Sequence, residues 1–131
     1  MEGVSAALKS AGIDFATISG ATPDKQRNEI FNAFQNTDKY KVLSAHPQCM
    51  SHGITLTAAD TVIWFGPITK YEVYEQANAR IRRIGQTRKQ QIIHFVASET
   101  ERKAYARLRD RQNLQDHVLE LLADITEAAD V

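Results

Sequence analysis

Arginines and an amide recur at helical spacing in the segment from Tyr74 to Lys89, which reads YEQANARIRRIGQTRK. Arg80 and Arg83 stand three residues apart, and Gln76 stands four residues before Arg80, so on a helix they share one face. A guanidinium holds phosphate oxygens through paired hydrogen bonds and keeps its charge where water is excluded. The spacing therefore predicts a site that neutralises charge on a phosphoryl group. The alternative is a solvated helix face whose arginines pair with nearby glutamates.

A second polar segment, residues 52–60, precedes a strongly apolar run. Gly53 allows backbone to approach a ligand closely, and the hydroxyls of Thr55 and Thr57 can contact phosphate or ribose without adding charge. By itself, a glycine followed by threonines is more often a turn than a binding site.

The pattern of apolar residues and of glycine and proline predicts alternating helices and strands around these segments. Thr22 is expected to cap a helix, Ser98 and Glu101 form a capping-box pattern, and Asn113 marks a possible break in the last helix. Trp64 is expected in the core, and His94 is expected to be a hydrogen-bonded core histidine. The predicted helices are residues 4–12, 23–36, 72–83 and 98–128, the predicted strands are 15–19, 41–45, 61–65 and 91–97, and residues 46–53 are a loop.

This alternation is typical of an α/β fold with a parallel sheet between helices. The 131 residues suit a single domain, residues 1–131, with a helical extension from about residue 100. Sixteen basic residues balance sixteen acidic ones, so any charged partner must be recognised by local charge. Five basic residues fall within positions 80–89, where they could bind phosphates or pair with acids of the C-terminal helix.

The single cysteine, Cys49, cannot form an intramolecular disulfide, and no zinc-ligand cluster accompanies it. A reducing cytoplasm is the expected location. No apolar run approaches the length of a membrane span, so no membrane partner is expected.

The segment 74–89 resembles motif six of the Swi/Snf-like branch of superfamily two helicases, whose pattern is Q-A-x-x-R-x-x-R-x-G-Q. Residues 52–60 before the apolar strand resemble motif five, and Gly20 with Arg27, Ile30 and Phe34 resembles the stretch around motif four. The similarity covers about residues 13–109. The residues in register with motif six are Gln76, Ala77, Arg80, Arg83, Gly85 and Gln86.

The resemblance implies the second RecA-like lobe of a DNA helicase or translocase: a three-layer sandwich around a mostly parallel sheet, here expected to lack its first strand. Arg80 and Arg83 would be arginine fingers, and Gln76, Gly53, Arg80 and Arg83 would bind ATP, which is shared with a first lobe. Mg²⁺ would be held by that first lobe, with no metal bound by this chain. The implied nucleic-acid-binding residues, facing DNA, are Ser44, His46, Thr55 and Thr57.

Two departures from the family pattern are visible. The loop after Ser44 is longer and lacks paired glycines, and residues 66–69 replace the family's W-N-P, which suits a phage or prokaryotic enzyme acting in a bacterial or phage-infected cell. Neither G-x-x-x-x-G-K-[ST] nor D-E-x-H occurs, so the chain is not expected to hydrolyse ATP alone. A non-catalytic module that binds nucleic acid or protein is the alternative, and an unpaired sheet edge predicts self-association.

Overall fold

The computed structural model describes residues 2–50 and 54–129. The chain follows the predicted alternation, with short strands between helices. Its elements are α1 (Glu2–Ser10), β1 (Phe15–Ile18), α2 (Asp24–Asn36), β2 (Val42–Ala45), a 3₁₀ turn (Pro47–Met50), β3 (Thr61–Trp64), α3 (Tyr71–Ala79), β4 (Gln91–His94) and α4 (Glu99–Ala129).

The four strands form two parallel pairs. β1 pairs with β2, with Phe15 opposite Val42, and β3 pairs with β4, with Thr61 opposite Gln91. The predicted parallel arrangement is therefore confirmed, but the described strands make two separate two-stranded sheets rather than one continuous sheet. The helix between the two strands of each pair reverses the chain direction, so that the second strand runs parallel beside the first. None of the described strands pairs with both β2 and β3.

Each strand pair carries its own apolar core. The first core lies under α2, and the second lies between β3, α3 and the first half of α4. Met50 of the 3₁₀ turn packs against both cores and links them. The buried residues of the first are Ala16, Ile18, Ile30, Phe31, Cys49 and Leu56; those of the second are Trp64, Tyr71, Tyr74, Ala77, Tyr105 and Leu108.

α4 is one continuous helix, so the predicted break at Asn113 is wrong. No glycine or proline lies between Ser98 and Ala129, and an interior asparagine costs a helix only a fraction of a kcal/mol, roughly 0.5. The serine half of the predicted capping box is present, because the Glu101 amide donates to Ser98 Oγ at 3.2 Å. The Glu101 carboxylate accepts from the Ala97 amide at 2.6 Å, one residue before the cap. No helix in the described part of the chain is apolar enough over its length to cross a membrane.

Three local predictions need correction. Thr22 does not cap α2, because its hydroxyl accepts from the Ser19 amide at 3.0 Å and Pro23 takes the cap position without a side-chain bond. The predicted helix 72–83 ends at Ala79. The strand predicted over 91–97 ends at His94 and is largely exposed rather than buried.

The exposure of β4 has a structural cause. Ile63 and Phe65 lie opposite Ile93 and Phe95 across the β3–β4 pair, and this face carries no covering helix among the described residues. The rings of Phe65 and Phe95 are in tilted contact, with centroids 4.9 Å apart, and remain about half exposed. The strand is as apolar as predicted, but tertiary packing decides which of its faces is covered.

Tyr105 is expected to be a major stabilising residue of the second core. Only 1% of it is exposed, its hydroxyl donates to the Trp64 carbonyl at 3.3 Å, and its ring stacks on His94 at 4.1 Å. Tyr105→Ala should lower the free energy of unfolding by about 3–5 kcal/mol, and Tyr105→Phe by about 1 kcal/mol. Urea denaturation measures both values. Leu119→Ala, on the exposed part of the same helix, should change stability by less than about 0.5 kcal/mol; equal losses at Tyr105 and Leu119 would contradict this account.

Candidate nucleotide-binding site

The three residues predicted to share a helix face separate in the structure. α3 ends at Ala79 and Arg80 occupies its C-cap, whereas Arg83 lies in the turn that follows. The single-face prediction is therefore correct for Gln76 and Arg80 and wrong for Arg83. Positive φ at Gly85, 104°, belongs to the turn that redirects the chain. Gln76 and Arg83 are exposed, and Arg80 is buried.

Arg80 is a buried cation with an unused donor. Its Nε donates to the Gln76 carbonyl at 2.8 Å, which directs the guanidinium back along the helix. Its Nη1 is fully buried and has no hydrogen-bond acceptor among the described residues. Burial lowers the pKa of Arg80, the charge of Arg83 lowers it further, and Glu75 opposes both. A buried charged donor without an acceptor is costly, so the group suits an anionic ligand.

The loop with the predicted threonines is joined to the end of α3. The Leu56 amide donates to the Arg80 carbonyl at 3.0 Å. Gln86 spans the same junction, because its Nε2 donates to the carbonyls of Ala59 and Ile81, each at 2.8 Å. The segments that resemble motifs five and six thus form one hydrogen-bonded unit.

Two further side chains hold this loop. Arg88 donates to the carbonyls of Thr57, at 3.2 Å, and Ala58. Gln35 of α2 binds the loop twice, through Nε2 to Thr57 Oγ1 at 2.9 Å and through Oε1 from the Ala58 amide at 2.9 Å. Gln86 belongs to the motif and Arg88 to the predicted basic cluster, but no local signal marked Gln35, which lies 22 residues from Thr57.

The residues predicted to face nucleic acid have different environments. Ser44 is half-buried on β2 opposite Thr17, and His46 follows that strand with an exposed side chain whose Nδ1 accepts from the Gln48 amide at 3.3 Å. Thr55 is exposed, and Thr57 is half-buried with its hydroxyl bound to Gln35. The predicted ligand residue Gly53 lies outside the described residues.

The basic cluster is partly neutralised, by one of the nearby glutamates of the alternative interpretation and by one aspartate. Arg82 pairs with Glu75 at 3.4 Å and Arg88 with Asp60 at 3.6 Å, so the predicted pairing with the C-terminal helix is wrong for these two arginines. Both acids lie within the site region because the turn after α3 folds back on it. Arg83 remains exposed.

The described residues contain no group of three or more His, Cys, Asp and Glu side chains placed to hold a metal ion.

The fold and this junction define a RecA-like helicase lobe. A crystal structure of the C-terminal part of the Fun30 ATPase domain superposes with a TM-score of 0.71, at 22% identity, over 79% of this chain and 34% of that one. The sequence model of the helicase conserved C-terminal domain matches residues 2–85, and the chain belongs to that family.

Curated relatives confirm the Swi/Snf-like resemblance. The chain is 31% identical over 112 residues to helicase swr1 of Schizosaccharomyces pombe, covering 86% of this chain and 9% of that protein. It is 26% identical over 121 residues to DNA repair protein rad5 of Neurospora crassa, covering 92% and 10%. An uncharacterized ATP-dependent helicase of Mycoplasma pneumoniae is 34% identical over 93 residues, covering 71% and 9%. The chain thus spans about a tenth of the length of these relatives.

Gln86 is expected to hold the threonine loop against the end of α3. Gln86→Glu replaces the amide donor with a carboxylate that repels the carbonyls of Ala59 and Ile81, so the loop should open more often. Hydrogen exchange of the Leu56 amide should accelerate roughly tenfold or more. Gln90→Glu makes the same chemical change at a nearby exposed position and should leave that rate unchanged. Unaltered exchange in Gln86→Glu would show that the loop stays closed without the Gln86 bonds.

Proposed function

We propose that this chain is the second lobe of a nucleic-acid-dependent ATPase of the Swi/Snf-like type, and that it completes an ATP site with a first RecA-like lobe. The observation that carries the proposal is the buried Nη1 of Arg80, a cationic donor without an acceptor among the described residues. It lies in the segment that matches the family's arginine motif. A phosphate oxygen supplies the acceptor that this nitrogen lacks.

Arg80 and Arg83 would each place a positive charge on the nucleotide, from different environments. Arg80 is pre-oriented by the Gln76 carbonyl and excluded from water, so its charge acts on the γ-phosphate through a poorly screening environment. Arg83 is exposed and near enough to lower the pKa of Arg80, so it provides a second charge on the ligand side. Gln76 is the exposed amide of the same face and would bind the nucleotide.

The remaining parts of the reaction belong to the partner lobe in this proposal. A first lobe with the phosphate loop would bind the β- and γ-phosphates and hold Mg²⁺, and this chain alone would not turn over ATP. Gly53 stays a prediction as an ATP contact.

DNA is the proposed second partner, bound by the loop ends that carry Ser44, His46, Thr55 and Thr57. The bond between Leu56 and Arg80 supports this arrangement, because it joins the threonine loop directly to the nucleotide-side arginine. Movement of one segment would therefore displace the other, which is the connection a nucleic-acid-dependent motor requires.

ATP turnover tests the proposal, measured with and without DNA for this chain alone and mixed with a first lobe that carries the phosphate loop. Turnover should appear only in the mixture. Arg83→Ala and Arg80→Lys should each lower it by roughly 10³-fold, because a lysine cannot reproduce the paired hydrogen bonds of arginine. Arg107→Gln removes an exposed charge from α4 and serves as the control.

The outcome distinguishes two classes of function. Loss of turnover in the Arg80 and Arg83 variants with normal activity of Arg107→Gln supports the motor lobe. No turnover in any mixture, combined with salt-sensitive DNA binding that survives loss of both arginines, would replace it with a non-catalytic binding module.

Self-association is proposed from the uncovered apolar surfaces. The β3–β4 face exposes Ile63, Phe65, Ile93 and Phe95, and an exposed apolar sheet face favours contact with a second copy. Sedimentation velocity should show a species larger than the monomer as the concentration rises, and a single monomeric species throughout would refute this. Cytoplasmic location and the phage or prokaryotic type stay predictions from the sequence.

A further inference from the structure

A polar cleft lies on the other side of α3 from Gln76. Tyr74 and Asn78 flank Gln76 by two residues in each direction, which places them about 160–200° around the helix from it. The cleft has a volume of about 210 Å³ and lies between α3, the turn after it, β4 and α4. Its polar lining residues are Tyr74, Asn78, Arg82, His94, Arg109 and Gln112.

Hydrogen bonds and ring contacts hold the walls of the cleft. Trp64 Nε1 donates to Asn78 Oδ1 at 2.9 Å. The Tyr74 hydroxyl lies 2.8 Å from His94 Nε2, within hydrogen-bond distance. The His94 ring is held further by stacking on Tyr105.

The charge in the cleft is positive. None of its lining residues is acidic, and Arg109 is in no ion pair with another described residue. Arg82 is partly balanced by Glu75, which pairs with it from outside the lining. Burial lowers the pKa of His94, and the positive charge of Arg109 lowers it further.

We propose that this cleft binds a phosphate group, with Arg109 and Arg82 supplying the charge and the side-chain amides of Asn78 and Gln112 supplying further donors. Donors on three different elements suit a tetrahedral oxyanion, whose oxygens point in several directions, better than a planar carboxylate. The phosphate could belong to a DNA backbone or be free in solution. The cleft and the Arg80 site lie on different faces of α3, so phosphate binding in the cleft does not depend on the proposed ATPase function.

NMR titration of the His94 ring tests the proposal, with inorganic phosphate as the probe and chloride at equal ionic strength as the reference. Bound phosphate opposes the field of Arg109, so it should raise the pKa of His94 and shift its ring signals saturably. Arg109→Gln should weaken phosphate binding roughly tenfold or more. Arg107→Gln removes the same charge two residues away, on another side of α4, and should bind like the unchanged protein. His94→Gln identifies the His94 signals.

The results separate the proposal from general charge effects. Saturable shifts that Arg109→Gln weakens and Arg107→Gln preserves establish the site. Shifts equal to those caused by chloride, or equal losses in both arginine variants, overturn it. The same titration with a short DNA duplex identifies the source of the phosphate. If the His94 signals shift at a lower concentration of DNA than of inorganic phosphate, and Arg109→Gln weakens this response, the cleft binds backbone phosphate. If the signals respond to inorganic phosphate but not to DNA, the cleft binds a free ion.

Discussion

The burial of Arg80 is the constraint on which the candidate site depends. A guanidinium with so little access to water must satisfy its donors inside the protein, and Nε does so on the Gln76 carbonyl. The backbone carbonyl of Arg80 also accepts from Leu56, so the same residue ends α3 and anchors the preceding loop. Its Nη1 donor is buried and has no acceptor in the described structure. This unpaired donor is the observation from which the proposed phosphate contact starts.

The loop beside Arg80 is held mainly by side-chain hydrogen bonds. Gln86 and Arg88 donate to carbonyls of the loop from the segment after α3. Gln35 of α2 donates to the Thr57 hydroxyl and accepts from the Ala58 amide. A loop without strand pairing needs such partners for its backbone groups. The loop therefore connects the first core, which contains Leu56, to the segment that carries the arginines.

α3 serves two surfaces of different character. One side presents Gln76 and leads into Arg80. The other carries Asn78, which accepts from Trp64, and Tyr74, whose hydroxyl is hydrogen-bonded to His94. Burial raises the pKa of Tyr105 to about 12, so its hydroxyl remains a neutral donor to the Trp64 carbonyl at physiological pH. This aromatic network keeps α3, β3, β4 and α4 in fixed relation, and both surfaces depend on that rigidity.

The sequence by itself determined the order of helices and strands, the parallel pairing, the core position of Trp64 and the family of the lobe. These follow from apolar periodicity and from a motif within a single segment, both of which are local properties. Tertiary structure alone decided that Arg80 is buried while Arg83 is exposed, that β4 has an uncovered face, and that Gln35 binds the threonine loop. Each of these depends on contacts between residues distant in the chain or on where a helix ends, and the intervening sequence does not encode such contacts as a local pattern.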